Sequence, residues 1–166
     1  MSSLKKIEKK IQTLEQGKST VQDWISNNET IVFTNGCFDI LHLGHLDYLL
    51  KAKDLGSKLI VGVNSSSSVQ KLKGPSRPIN STQSRSKLLA GFECIDLIVV
   101  FNEDTPLNLI QSLKPNILVK GGDYTFETIV GAEEVTSYGG HVKIIPFLPG
   151  YSTSKIVTKI QSFSKS

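Results

Sequence analysis

From residue 31 onward the chain alternates short, almost wholly apolar runs with longer stretches whose apolar residues recur every three or four positions. The runs IVFTN, KLIVGVN, DLIVVF, NILVK and HVKIIPF are rich in β-branched residues and apolar on both faces. That pattern suits strands buried on both sides of a parallel sheet, not the one-sided alternation of an antiparallel one. Between them the spacing predicts helices over 44–55, 81–92, 105–113 and 126–138, the last stopped by Gly139 and Gly140, with a final helix from 153. Strict strand–helix alternation with right-handed crossovers predicts a five-stranded α/β sandwich of Rossmann type.

The first thirty residues follow another pattern. Leu4, Ile7, Ile11 and Leu14 stand at helical spacing opposite Lys5, Lys6, Glu8, Lys9 and Lys10, predicting a surface helix over 4–16. Ser19 with Gln22 resembles a capping box, predicting a second helix that carries Trp24 and ends at Asn27 and Asn28. The chain therefore divides into a helical extension over 1–29 and one α/β domain over 30–166.

Composition narrows the function. With 166 residues and 39% apolar content the chain fills one compact domain. No apolar run is long enough to span a bilayer, and the lysine-rich amino terminus lacks the apolar stretch of a secretory signal, so a cytoplasmic protein with no membrane partner is expected. Cys37 and Cys94 fit neither a zinc site nor a redox pair and read as free thiols. The net charge of +4 favours anionic partners, but the basic residues are dispersed lysines, with Arg77 and Arg85 the two arginines. That distribution fits a small phosphorylated substrate better than nucleic acid.

Open parallel sheets bind ligands beyond the carboxyl ends of their strands. There the chain carries TNGCFDILHLGH, NSSSSVQKLKGPSRP, KGGDY and LPGYSTS, four loops expected to converge on one crevice. In the first, Gly36 permits a sharp turn and Gly44 a close approach to a helix start, where free amides and the helix dipole favour phosphate. His42 and His45, three apart, can donate hydrogen bonds to phosphate oxygens as charge develops in phosphoryl or nucleotidyl transfer. An H-x-G-H tetrad arises by chance in about one chain in two hundred of this length. Its place between a strand and a helix therefore gives it its weight, and no third ligand suggests zinc.

The other loops admit plainer readings beside the functional ones. Lys71 and Lys73, on one side of an extended segment, can reach a phosphate together, or can be solvated charge in a lid-like loop. Arg77 and Arg85 can add bidentate phosphate contacts. Gly121 and Gly122 allow close approach, Asp123 can accept from a ribose or base, and Lys120 can hold a phosphate or sugar; Gly-Gly-Asp is also an ordinary turn. Ser152, Thr153 and Ser154 can bind the outer phosphates of a triphosphate or cap the final helix.

Residues 31–160 resemble the cytidylyltransferase-like nucleotidyltransferase superfamily, whose mark of G-x-F-D followed by H-x-G-H appears here as GCFDILHLGH. Within it, FTNGCFDILHLGH, LIVGVNS, KLKGPSRPIN, EDTP, LVKGGDY and YSTSKIV resemble the D-glycero-β-D-manno-heptose 1-phosphate adenylyltransferase family, which often forms half of a bifunctional enzyme with a sugar kinase. The resemblance implies a stand-alone adenylyltransferase, active as a homodimer, that uses ATP with Mg²⁺ and a sugar 1-phosphate, with no protein ligand to the metal assigned. It implies catalytic roles for His42, His45 and Lys73. It implies nucleotide binding by Asn35, Gly36, Cys37, Phe38, Gly44, Arg85, Gly122, Asp123, Ser152, Thr153 and Ser154, and acceptor binding by Asp39, Lys71, Arg77 and Lys120.

Two departures bear on these roles. Relatives usually carry an acidic residue soon after V-N-S, where this chain reads Asn64, Ser65, Ser66, Ser67 and Ser68, leaving one carboxylate contact unaccounted for. Before STS, Phe147, Leu148, Pro149 and Gly150 replace the segment whose arginine reads cytosine in glycerol-3-phosphate cytidylyltransferases, which favours ATP over CTP. The alternatives are a cytidylyltransferase for glycerol 3-phosphate or a similar acceptor, and a non-catalytic nucleotide-binding module. An aminoacyl-tRNA synthetase is excluded by length and by the missing K-M-S-K-S loop.

Overall fold

The computed structural model describes residues 2–163. In chain order its elements are α1 (Ser3–Lys9), β1 (Ile11–Gln12), α2 (Leu14–Ser26), β2 (Ile31–Gly36), α3 (Leu43–Lys53), β3 (Lys58–Asn64), α4 (Ser66–Lys73) and α5 (Thr82–Ala90). There follow β4 (Leu97–Phe101), α6 (Leu107–Leu113), β5 (Ile117–Gly121), a 3₁₀ turn (Phe126–Thr128), α7 (Ala132–Ser137), β6 (His141–Ile145) and α8 (Thr153–Phe163). All five predicted strands are present, in a parallel sheet of order β1-β4-β3-β2-β5-β6.

The apolar runs are buried on both faces, as their composition demands. Val32, Leu59, Val61, Ile98 and Val119 point to the side that holds Leu49 and Ala52 of α3 and Leu89 of α5. Their neighbours Ile31, Phe33, Ile60, Leu97 and Leu118 point to the opposite side, against Val21 of α2, Ile110 and Leu113 of α6 and Val135 of α7. Each such side chain, wholly removed from water, contributes about 1.5–3 kcal/mol of transfer free energy.

Three segments depart from the expectation. The helix predicted over 4–16 stops at Lys9, and Ile11 and Gln12 form a sixth, edge strand paired with Ile98 and Val99. The break lies in a capping box six residues earlier than Ser19/Gln22: Thr13 Oγ1 accepts from Gln16 N at 3.3 Å and Gln16 Oε1 from Thr13 N at 3.0 Å. A helix cannot run through its own N-cap, whose backbone is extended, so α2 begins at Leu14 and carries Trp24 to its end at Asn27. The second departure is α4, formed where an open loop is expected: Ser65 Oγ accepts from Ser68 N at 3.2 Å and starts a helix from the serine run. In the third, the helix predicted over 126–138 divides at Gly131, whose φ of 88° no α-helix accommodates.

The sheet order also locates the ligand crevice. β2, β3 and β4 step in one direction, whereas β5 lies on the other flank of β2. Loops leaving the carboxyl ends of β2 and β5 therefore diverge to opposite faces and leave a cleft between them.

Candidate active site

A crevice of about 440 Å³ opens at this point and draws on all four predicted loops, through Asn35 to Asp39, Lys73, Gly121 and Thr153. A wider groove of about 580 Å³ between α1 and α2, lined by Lys5, Glu8 and Lys9, gathers none of them.

At the crevice's neck the chain turns from β2 into α3. Phe38 adopts a left-handed backbone, φ 46°, which costs a residue with a β-carbon of order 1 kcal/mol. Its ring is buried and lies 5.3 Å from His45. His42 is the N-cap of α3, and its carbonyl accepts from His45 N at 2.9 Å. One turn of helix thus brings the two imidazoles into a stack, with centroids 3.9 Å apart and planes 26° from parallel. A β-carbon on Gly44 would come within 3.1 Å of both His42 Nδ1 and Tyr151 Cβ, so glycine lets the approach to α8 pass close over the helix start.

Burial, with smaller contributions from His42 and Lys73, pushes the His45 imidazole down to about 4, and burial also lowers His42. Both rings are therefore neutral near pH 7, each with a single N–H, and the Nδ1 atoms of both are buried without a hydrogen-bond partner among the described residues. The pair is a set of poised dipoles. The fixed positive charge comes from Lys73 and Lys120, both in the crevice wall.

Lys120, at the end of β5, reaches across the switch point to donate to Asn35 Oδ1 at the end of β2. No carboxylate pairs with it among the described residues, and burial pushes its ammonium down to about 8. A half-buried cation with one neutral partner is poorly compensated, and an incoming phosphate would compensate it. Beside it, β-carbons on Gly121 and Gly122 would lie 2.7 and 2.5 Å from the Phe147 ring. The two glycines form a shelf under that ring, and Phe147 is 62% exposed at the crevice mouth. Tyr48 lies under Gly121, its hydroxyl 2.7 Å from Thr34 Oγ1 and its pKa raised by burial.

Several residues expected to contact ligand are engaged elsewhere. Asp39 is 3% exposed; its carboxylate accepts from Ile79 N at 2.8 and 2.9 Å, from Asn80 N at 2.9 Å, and pairs with Arg77 Nε at 3.2 Å. Asp39 and Arg77 thus hold each other and fasten residues 77–80 to the turn before α3. Arg85 is wholly buried, donating to the carbonyls of Cys37 at 2.6 Å, Asn64 at 2.8 Å and Asn80 at 3.1 Å. It braces three loops from behind and does not line the crevice. Lys71 and Lys73 stand on α4, not on an extended strand, so a separation of two turns them to opposite sides. Lys73 faces the crevice, while Lys71 pairs with Asp104 at 3.3 Å.

Gly122 lies beneath Phe147, and Asp123 is exposed outside the crevice wall. Ser152 Oγ accepts from Lys155 N at 3.2 Å and caps the last helix, Thr153 lines the crevice, and Ser154 is exposed. Ser65, in the stretch where an acidic residue is usual, serves as the cap of α4. An aspartate there would serve equally well.

The crevice also holds residues that the sequence reading did not select. Tyr48 falls on the buried stripe of α3 and carries no mark separating it from core. Asp104 lies in EDTP, a segment quoted only for its resemblance, and Tyr124 follows KGGD. Phe147, which stands in the segment that departs from the cytosine-reading pattern, also lines the crevice.

Residues 33–159 match the cytidylyltransferase-like family. The bifunctional protein HldE of Syntrophotalea carbinolica is 52% identical over 151 residues, which are 91% of this chain and 31% of that protein. The HldE of Geobacter sulfurreducens is 52% identical over 135 residues, 81% of this chain and 28% of that protein. The chain thus spans about a third of the length of these relatives. Among solved structures, a lipopolysaccharide core biosynthesis protein from Thermoplasma volcanium superposes with a TM-score of 0.58 at 31% identity, covering 72% of this chain and 97% of its own. A pantoate-β-alanine ligase from Francisella tularensis, at 17% identity and TM-score 0.61 over 94% of this chain and 79% of its own, shares the fold.

Proposed function

The chain belongs to the cytidylyltransferase-like family, and from that premise we propose that it transfers the AMP group of ATP to a sugar 1-phosphate. The acceptor is D-glycero-β-D-manno-heptose 1-phosphate, and the products are ADP-heptose, destined for lipopolysaccharide core or a related surface glycan, and pyrophosphate. The observation that carries this reading is the stacked His42–His45 pair at the start of α3, opening on a crevice that also holds Lys73 and Lys120.

An oxygen of the acceptor phosphate attacks the α-phosphorus of ATP in line. The new P–O bond forms as the bond to the bridging oxygen breaks, and pyrophosphate leaves with that electron pair. A phosphate monoester is already ionised at neutral pH, so no general base is needed, and positioning and charge stabilisation supply the acceleration. The neutral imidazoles donate to oxygens of the α-phosphate as charge accumulates there, Lys73 holds the departing pyrophosphate, and Lys120 holds the acceptor phosphate. Thr153 and the amides at the start of α8 face the outer phosphates. Phe147, in place of an arginine that would read cytosine, favours adenine.

No group of three or more His, Cys, Asp or Glu side chains among the described residues could hold a metal, and Asp39 is committed to Arg77 and the loop. These side chains do not form a protein cage for Mg²⁺, which fits a metal that arrives on the phosphates of ATP and offsets their charge. No helix among the described residues is long and apolar enough to cross a membrane, in keeping with a reaction in the cytoplasm, where ATP is available. The catalytic unit begins near residue 30, with the preceding segment as a brace on its sheet. It works as a homodimer, a state supported by the exposed Ile160 and Phe163 on α8.

The test is pyrophosphate release from ATP and from CTP with heptose 1-phosphate and glycerol 3-phosphate. ATP with heptose 1-phosphate is expected to be preferred, and turnover in His42→Ala and His45→Ala to fall by roughly 10²–10³-fold. Wild-type rates in both variants would overturn the mechanism.

A further inference from the structure

Two carboxylates line the crevice, Asp39 and Asp104. They differ in what they have left to offer. The Asp39 side chain is 1% exposed and saturated by two backbone amides and Arg77. The Asp104 side chain is 73% exposed, and its one partner among the described residues is Lys71, itself 65% exposed, 3.3 Å from Oδ1. A pair so open to water is weak, and Oδ2 has no hydrogen-bond partner among the described residues.

The backbone that carries Asp104 is nevertheless well fixed. The Glu103 carboxylate accepts from Asn102 N at 2.9 Å and Asn108 Nδ2 at 3.0 Å. The Glu103 carbonyl accepts from the buried Ser68 hydroxyl at 3.1 Å, which ties the loop to α4. Ser65 N donates to Phe101 O at 2.9 Å just before it. An exposed carboxylate on a tethered loop, aimed at a crevice otherwise furnished with lysines, is pre-organised to accept hydrogen bonds without first ordering its own backbone.

We propose, on the nucleotidyl-transfer reading above, that Asp104 binds hydroxyl groups of the acceptor sugar and so selects a polyhydroxylated phosphate monoester over a bare one. A carboxylate only accepts hydrogen bonds and repels phosphate, so its partner is a neutral donor. Two hydroxyls on adjacent carbons match its two oxygens, and Lys71 is loose enough to yield one of them. The division of the crevice follows: Lys73 and Lys120 take phosphates, and Asp104 at the β4 side takes the hydroxyl-bearing part of the acceptor.

The experiment compares wild type with Asp104→Asn and Asp104→Ala, substitutions at an exposed position that leave the melting temperature unchanged. Calorimetry gives the Kd of heptose 1-phosphate and of ethyl phosphate, a monoester without hydroxyls, and steady-state assays give KM for ATP. Asp104→Ala is expected to weaken heptose 1-phosphate at least tenfold, Asp104→Asn less, while ethyl phosphate and ATP stay within twofold. An unchanged Kd for heptose 1-phosphate, an equal loss for ethyl phosphate, or a loss restored by more Mg²⁺ would each overturn it, as would a wild type that binds both monoesters equally. A wild type that binds heptose 1-phosphate through Asp104 yet releases no pyrophosphate from ATP or CTP would sink the transfer reading and leave this one standing. Turnover that is indifferent to Asp104 would do the reverse.

Discussion

Among the described residues Lys73 and Lys120 enter the crevice without a carboxylate partner, whereas Asp39 and Arg77, on the turns beside it, and Arg85, on α5 behind it, are closed on one another and on backbone amides and carbonyls. Of the first pair, Lys120 is poorly compensated as it stands and gains most from an anion, whereas Lys73 is exposed and solvated. The second set is already compensated, and its work is to hold three loops in register. Formal charge does not distinguish ligand from brace; the number of polar partners already present does.

The widest separation between the two sets should appear in activity. His42→Ala and His45→Ala remove rings whose Nδ1 atoms have no hydrogen-bond partner among the described residues and whose ring contacts are with each other and with Phe38, so the roughly 10²–10³-fold loss in kcat should far exceed the accompanying loss of melting temperature. A variant that loses stability in proportion to activity would move the imidazoles to the bracing set. Circular dichroism melts beside pyrophosphate assays decide it.

Arg85→Ala probes the braces. It strands the carbonyls of Cys37, Asn64 and Asn80 behind the site. At about 1 kcal/mol for each lost hydrogen bond, the destabilisation is about 3 kcal/mol, or roughly 6–12 °C in Tm. If the variant melts like wild type but no longer binds ATP, Arg85 belongs at the front after all.

The sequence carried the parts of the site that depend on the backbone. Runs apolar on both faces required a parallel sheet, and the sheet put TNGCFDILHLGH, KGGDY and the start of the last helix together beyond its carboxyl end. His42 and His45 were legible because a separation of three at a helix start has one geometric outcome. Arg85 was not, because a guanidinium suited to a phosphate is equally suited to three carbonyls, and only the folded chain decides which it meets. The shared side expected of Lys71 and Lys73 does not hold because the serine run that caps α4 reads as loop, and two residues along a helix, a little over half a turn, send them apart. Gln12 and Ile11 became a strand because a capping box at Thr13 outweighs an amphipathic stripe running through it.

Lys120→Met should separate the sets by opposite signs. Among the described residues no acid pairs with the half-buried ammonium, which is held below its ordinary pKa, so an apolar side chain of similar length should leave Tm unchanged or raise it, while KM for the acceptor rises about tenfold. In the free wild-type enzyme the group loses its charge as pH passes about 8, so kcat/KM for the acceptor should decline above that pH. In Lys120→Met that decline should disappear from a lower plateau. A lower Tm in the variant would make Lys120 a brace.

The smallest effect is the pH dependence of stability that His45 imposes. Its pKa is about 4 in the folded chain against 6.5 for the free side chain. Between those values the unfolded state binds more protons, so stability is fully present above pH 6.5 and is lost as the pH falls toward 4. Solvent screening reduces the loss to the order of 1 kcal/mol. His45→Gln, which cannot protonate, should flatten that part of the Tm profile relative to wild type. A bound triphosphate should flatten it too, because an anion beside the ring restores the affinity for a proton that burial removed. If saturating ATP leaves the wild-type profile unchanged while His45→Gln flattens it, the ring is buried neutral for packing alone and does not meet phosphate.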